Sequence, residues 1–262
     1  MSNSKWRVVV LAAGRGPNDP MAQAFGTAHK CALPIAGKPM LAWVLQALVD
    51  AALPAPFHIS IDDGTAALHA AGPAAKSLRI WASNISAPAS ALATIRNIGT
   101  YPVLITTGDH PLLTAEMLKH FLAAAETSGA DVLAGLAIKQ TIEASYPETQ
   151  RTYFDLGGTR VSGCNLFAVM NEQGLRMLEA WQDLEKNRKK PWKLVAAFGA
   201  TPLYHFIRGT LTPDMAFGLM SKKLGIKVAP IFMPFAEAAI DVDKPSDHQL
   251  AEQILLKRSV PT

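Results

Sequence analysis

A β-branched run, Val8-Val9-Val10-Leu11, breaks at Ala12-Ala13-Gly14-Arg15-Gly16, and no regular pattern resumes until Gly37-Lys38-Pro39. A short continuous apolar run is the signature of a strand buried on both faces, as in a parallel sheet. Connections from such a strand to the next helix usually take only a handful of residues. The interval from Ala12 to Gly37 is far longer and carries a single lysine, Lys30, late in its course. This order constrains the chain to an α/β fold with a binding loop at the C-terminal edge of its first strand. Small residues let backbone N–H groups approach phosphate oxygens, and a cation further on can neutralise them.

Two familiar phosphate loops do not fit. The dinucleotide fingerprint needs a third glycine where Asp19 stands. The P-loop needs Ser or Thr after Gly37-Lys38, where Pro39 stands, and Ala32 takes the place of its first glycine.

Downstream, short apolar strands alternate with amphipathic helices, which predicts βαβ units and a three-layer α/β/α arrangement around a mostly parallel, Rossmann-like sheet. The pattern predicts strands at 6–11, 57–61, 78–82, 103–106, 132–138, 226–230 and 239–242. Helices are predicted at 40–52 with Pro39 as first helical residue, at 63–71, at 88–98, from a Thr114 cap to 125, and from a Ser246 cap to 257. Between 152 and 169 the helical period disappears, which predicts a hairpin turning at Gly157-Gly158. No repeat, low-complexity tract or linker interrupts the pattern, so a single domain over residues 1–262 is expected.

Composition narrows the function. Apolar residues make up 49% and charged residues 18% of the 262, enough for a full core. A formal charge of +4 permits attraction of polyanionic small molecules but falls short of a nucleic-acid binder's basic stripe. No apolar run approaches the roughly 18 to 20 residues that span a bilayer, and the N-terminus lacks a signal-peptide pattern. Cys31 and Cys164 are too few for a disulfide framework or a zinc site, and a reducing cytoplasm is the expected location. The most basic stretch runs from Lys186 through Lys190 and Trp192 to Lys193. It reads either as a solvated helix end or as a positive wall, through Lys190 and Lys193, for a phosphorylated acceptor.

Carboxylates dominate the chemistry on offer. Asp109 follows an apolar strand directly, which puts it at the sheet edge where α/β folds bind ligands, and Gly108 gives that edge room. Asp241 and Asp243 would share one face of an extended segment. Hard oxygens without His or Cys partners suit Mg²⁺ better than zinc. No Ser-His or Cys-His pair is evident, which agrees with a reaction driven by positioning and charge neutralisation.

The motifs Leu11-Ala12-Ala13-Gly14-Arg15-Gly16, Lys30, Pro34 to Pro39, Thr107-Gly108-Asp109-His110-Pro111 and Asp241-Val242-Asp243-Lys244-Pro245 occur in the order found in one family. The chain resembles nucleotidyltransferases of glycosyltransferase-A-like fold, in the branch typified by molybdenum-cofactor guanylyl- and cytidylyltransferases and cobinamide-phosphate guanylyltransferases. That family usually carries an arginine where Asn18 stands here.

The resemblance implies an Mg²⁺-dependent transfer of NMP from an NTP to a phosphorylated small-molecule acceptor, with release of pyrophosphate. It implies that Leu11 to Gly16, Lys30, Ser90 and Gly108 bind the nucleotide. Lys30 would offset charge at the α-phosphate, and Asp109 would be the main metal ligand, with Asp241 or Asp243 as the second. Gly163 and Asn165 would touch the acceptor, near the hairpin. Two other readings share the fold: a glycosyltransferase consuming a nucleotide sugar, and a nucleotide-binding scaffold without activity.

Overall fold

The computed structural model describes residues 5–185 and 191–259. The chain falls into two compact units, Met1–Lys119 with Ile240–Thr262, and His120–Ala239. Its strands are mostly parallel and flanked by helices, as the alternating pattern predicts, and a separate small antiparallel pair stands apart from them.

The first unit begins with β1 (Arg7–Leu11), whose Val8, Val9 and Val10 are fully buried. The long loop that follows holds a short helix that sequence pattern missed, α1 (Pro20–Ala24). Asp19 caps it, accepting from the amides of Met21 and Ala22, and Pro20 supplies the preset first turn. The small pair β2 (Pro34–Ile35) and β3 (Lys38–Pro39) leads into α2 (Met40–Asp50). Pro39 is the N-cap there, with ψ 143°, and not the first helical residue, because it still completes β3 opposite Pro34.

β4 (Phe57–Ile61), α3 (Gly64–Ala71), β5 (Leu78–Ala82), α4 (Ala87–Ile98) and β6 (Val103–Thr107) follow close to their predicted bounds. β1 pairs in parallel with β4 on one side and β6 on the other, and β4 pairs with β5. The neighbouring strands pair both edges of β1, and in a parallel sheet the crossover helices cover both faces, which explains its unbroken apolar run. Burying each such Val, Leu or Ile contributes roughly 1.5–3 kcal/mol. α5 (Ala115–Ser128) is capped by Thr114, whose hydroxyl accepts from the Met117 amide.

In the second unit, β7 (Val132–Ile138) is followed by α6 (Lys139–Ser145), absent from the sequence pattern, then by β8 (Phe154–Leu156) and β9 (Thr159–Val169). β8 and β9 pair antiparallel across Gly157-Gly158, both at positive φ, as the predicted hairpin requires. Among the described residues the helices α7 (Leu175–Glu185), α8 (Pro191–Ala197), α9 (Ala200–Ile207) and α10 (Pro213–Leu224) come next. β10 (Val228–Phe232) then runs parallel to β7.

Two expectations near the C-terminus are corrected. The predicted strand at 239–242 is a 3-10 turn, Ala236–Ala239, followed by irregular chain. Ser246 does not cap the final helix, α11 (Pro245–Arg258); Lys244 holds the N-cap position, since Pro245 already starts the helix. No described helix is long and apolar enough to cross a membrane.

Candidate active site

The first unit gathers its charged residues where β1 and β6 end. Leu11 and Thr107 are register partners, and the next residue on each strand turns out of the sheet. Gly108 donates its amide to the Leu11 carbonyl at 2.9 Å. A Cβ at position 108 would lie 2.9 Å from the Ala12 Cβ, so only glycine lets the two strand ends close. Asp109 therefore emerges beside the start of the loop. Its carbonyl accepts from the Val242 amide at 2.9 Å, which brings the Asp241–Asp243 segment alongside.

Lys30 joins these segments. Its ammonium donates to Asp109 Oδ2 at 2.7 Å and to Asp243 Oδ1 at 2.9 Å. Burial alone would favour the neutral amine, but the two carboxylates outweigh it and hold the Lys30 pKa above its ordinary value. Lys30 is thus a fixed cation at any working pH. Arg15 approaches Asp243 Oδ1 at 4.0 Å from the exposed loop. Asp109 Oδ1 is buried and has no hydrogen-bond partner. Of the two C-terminal aspartates, it is Asp243 whose carboxylate reaches Lys30; Asp241 is half-buried.

The loop is tied down by the end of β4 and by its own Asp19. The Ala12 amide donates to the Ser60 carbonyl, the Gly14 amide to Asp62 Oδ1 at 2.9 Å, and the Arg15 amide to Asp19 Oδ2 at 3.1 Å. Ala13 and Gly16 are exposed. Burial acts to raise the Asp19 pKa, yet the amides of Ala22, Arg15 and Met21 together hold it below the usual aspartate value. Burial likewise opposes ionisation of Asp62, and hydrogen bonds from His29 and the Gly14 amide overcome it. Sequence reasoning missed Asp19, His29 and Asp62. Asp19 was findable as an Asp-Pro helix entry; the pairing of His29 with Asp62 spans 33 positions and leaves no local signal.

Ser90, expected to contact the nucleotide, also makes a local hydrogen bond. Ser90 is buried, and its hydroxyl accepts from the Asn84 amide at 2.8 Å, which shapes the turn before α4. Lys38 stacks over Trp43, 4.6 Å from the ring centroid. His110 is buried. The Cys31 thiol is pushed up to about 12, first by burial and then by Asp62, so it is no nucleophile at neutral pH.

In the second unit, the pairing of β9 with β7 shifts register between Ala134 and Leu136, and Gly163 and Asn165 lie on β9 at this irregularity. Asn165 sits at φ +51°, a left-handed conformation that asparagine tolerates. Lys193, on α8, stacks over Trp192 at 5.5 Å. Lys190 and the rest of 186–190 lie outside the described residues.

Comparison with solved structures agrees with this fold. A hypothetical transferase from Thermus thermophilus is 24% identical with a TM-score of 0.74, covering 92% of this chain and 99% of its own. A CMP:2-keto-3-deoxy-manno-octonic acid synthetase complexed with CTP is 14% identical with a TM-score of 0.59, covering 97% and 100%. A 2-C-methyl-D-erythritol 4-phosphate cytidylyltransferase, also from Thermus thermophilus, is 15% identical with a TM-score of 0.52, covering 95% and 97%. No curated protein matches the chain in sequence. The MobA-like NTP transferase domain matches residues 8–188, from the first strand through the loop, Lys30 and Asp109 to beyond the hairpin, and the chain belongs to that family.

Proposed function

We propose that the protein transfers a nucleotidyl group from an NTP to the phosphate of a small acceptor. The observation that carries this reading is the half-buried Lys30 ammonium, held by Asp109 and Asp243 beside a glycine loop at the strand ends. An acceptor phosphate oxygen attacks the α-phosphorus, the bond from that phosphorus to the bridging oxygen breaks, and pyrophosphate leaves with the electron pair. Such a transfer needs charge held in place more than a protein nucleophile. Lys30, permanently charged, offsets the negative charge that builds around the α-phosphorus. Arg15, exposed on the loop and 4.0 Å from Asp243, is a further cation in a chain with Asn18 at the family's arginine position.

The residues present fit Mg²⁺. Among the described residues no group of three or more His, Cys, Asp or Glu is gathered closely enough to cage a metal. Mg²⁺, however, is commonly bound by one or two carboxylates, with substrate phosphates completing its shell. Asp109 and Asp243 converge on one cation, and Asp109 Oδ1 is an unsatisfied hard donor. These two would hold the ion, which when bound withdraws charge from the triphosphate.

The cytidine-nucleotide chemistry in the names of two fold relatives makes CTP the first donor to try. The test is pyrophosphate release from each of the four NTPs, with Mg²⁺, across sugar, polyol and pterin phosphates. Release that needs both an acceptor and Asp109 supports the reading; release that persists in Asp109→Ala refutes it.

A further inference from the structure

The glycine loop and the lysine turn are joined by a two-residue link that the motif pattern does not contain. Asp62 follows β4 directly, and its Oδ1 accepts two hydrogen bonds, from the Gly14 amide and from His29 Nε2, each at 2.9 Å. The Cys31 amide donates to His29 Nδ1 at 3.1 Å. A ring nitrogen that accepts cannot carry the proton, so the neutral ring holds its hydrogen on Nε2 and donates it to Asp62. His29 is buried and is the N-cap of the 3-10 turn Lys30–Ala32, so the residue that grips Asp62 also sets the start of the turn bearing Lys30. The neighbouring Asp63 is spent on capping α3 through Thr65 and Ala66. Gly14 completes the link: a Cβ there would stand 3.0 Å from His29 Nε2. Glycine at this position makes room for the imidazole.

We propose that Asp62 and His29 are positioning residues, a tether that sets the Gly14 loop and the Lys30 turn in one fixed arrangement before nucleotide arrives. The proposal rests on the nucleotidyltransferase reading for its purpose, and on the geometry above for its existence. A loop held in shape by the protein does not lose conformational entropy on binding, so the gain appears as nucleotide affinity. Neither side chain needs to touch the nucleotide.

The test uses the intact chain and two readouts. Selective ¹⁵N-glycine labelling gives the Gly14 amide exchange rate, and calorimetry gives the affinity for ATP, GTP, CTP and UTP with Mg²⁺. Asp62→Ala and His29→Ala are each expected to speed Gly14 exchange about tenfold and to weaken the preferred NTP about tenfold, with the melting temperature little changed. The double variant should be no worse than either single, because both remove one link. Asp62→Asn, whose side-chain oxygen can still accept both bonds, should recover most of the affinity. Additive losses, an Asp62→Asn variant as weak as Asp62→Ala, or Gly14 exchange unaltered in both alanine variants would overturn the tether. If the wild-type chain takes up none of the four nucleotides, the function reading fails, and the tether is then judged on Gly14 exchange alone.

Discussion

Lys30 donates to Asp109 over 2.7 Å, although 79 positions separate them in the chain. The same ammonium reaches Asp243, 213 positions away, at 2.9 Å. One side chain therefore binds the loop after β1, the end of β6 and the entry to α11 into a single charged cluster. Since burial opposes the charge on Lys30 and the two carboxylates restore it, removing either kind of partner has a defined consequence.

Replacing Lys30 by Met keeps the aliphatic stem and deletes the charge. Pyrophosphate release should fall roughly 10²–10³-fold, the scale of losing one preorganised charge donor. Lys30→Arg should not restore it, because a planar fork cannot occupy the position of a compact ammonium between two carboxylates. Steady-state kinetics beside a melting curve separate this from unfolding.

Asp241 and Asp243 should part company. Asp243→Asn removes a carboxylate that meets Lys30, and should raise the Mg²⁺ concentration needed for half-maximal NTP binding about tenfold. Asp241→Asn should raise it less. Mg²⁺ titrations of nucleotide binding by calorimetry rank the two; the reverse order would assign the second carboxylate to Asp241.

Gly108→Ala tests the closure of the two strand ends. The new methyl would stand 2.9 Å from the Ala12 Cβ and 3.3 Å from its Cα, and backbone cannot yield as a flexible side chain does. A loss of about 1–3 kcal/mol in denaturant unfolding is expected, together with weaker nucleotide binding as the loop is pushed outward.

Acid should loosen the loop through Asp19. Its carboxyl is held below the ordinary 3.8 in the fold, so the stability it contributes is fully present above that pH and lost as pH falls through the lowered value. Asp19→Ala should cost about 1–2 kcal/mol at neutral pH, the usual range for a lost N-cap. The gap between wild type and variant should shrink below pH 3.8 in urea unfolding run across the acid range.

The features legible in the sequence were those set by neighbours in the chain. The strands 57–61, 78–82 and 132–138, the Thr114 cap and the Gly157-Gly158 hairpin each follow from periodicity or turn chemistry within a few residues. The helix at Pro20–Ala24 was hidden because five residues are too few to show a period. The segment 239–242 reads as a strand by composition, yet its Val242 amide pairs with the Asp109 carbonyl and with no strand ladder. Among the candidate site residues, the strand-end position of Asp109 was readable from the apolar run before it. The choice of Asp243 as the partner of Lys30, the capture of Ser90 by Asn84 and the pairing of His29 with Asp62 depend on tertiary contacts that a local pattern does not encode.

Whether Lys30 holds a triphosphate is measured by titrating ATP, GTP, CTP and UTP, each with and without Mg²⁺, into the intact chain and into Lys30→Met. One base should bind in preference to the others, only weakly without Mg²⁺, and about tenfold or more weakly in the variant. Absence of binding by all four, or equal binding by wild type and Lys30→Met, would contradict the account.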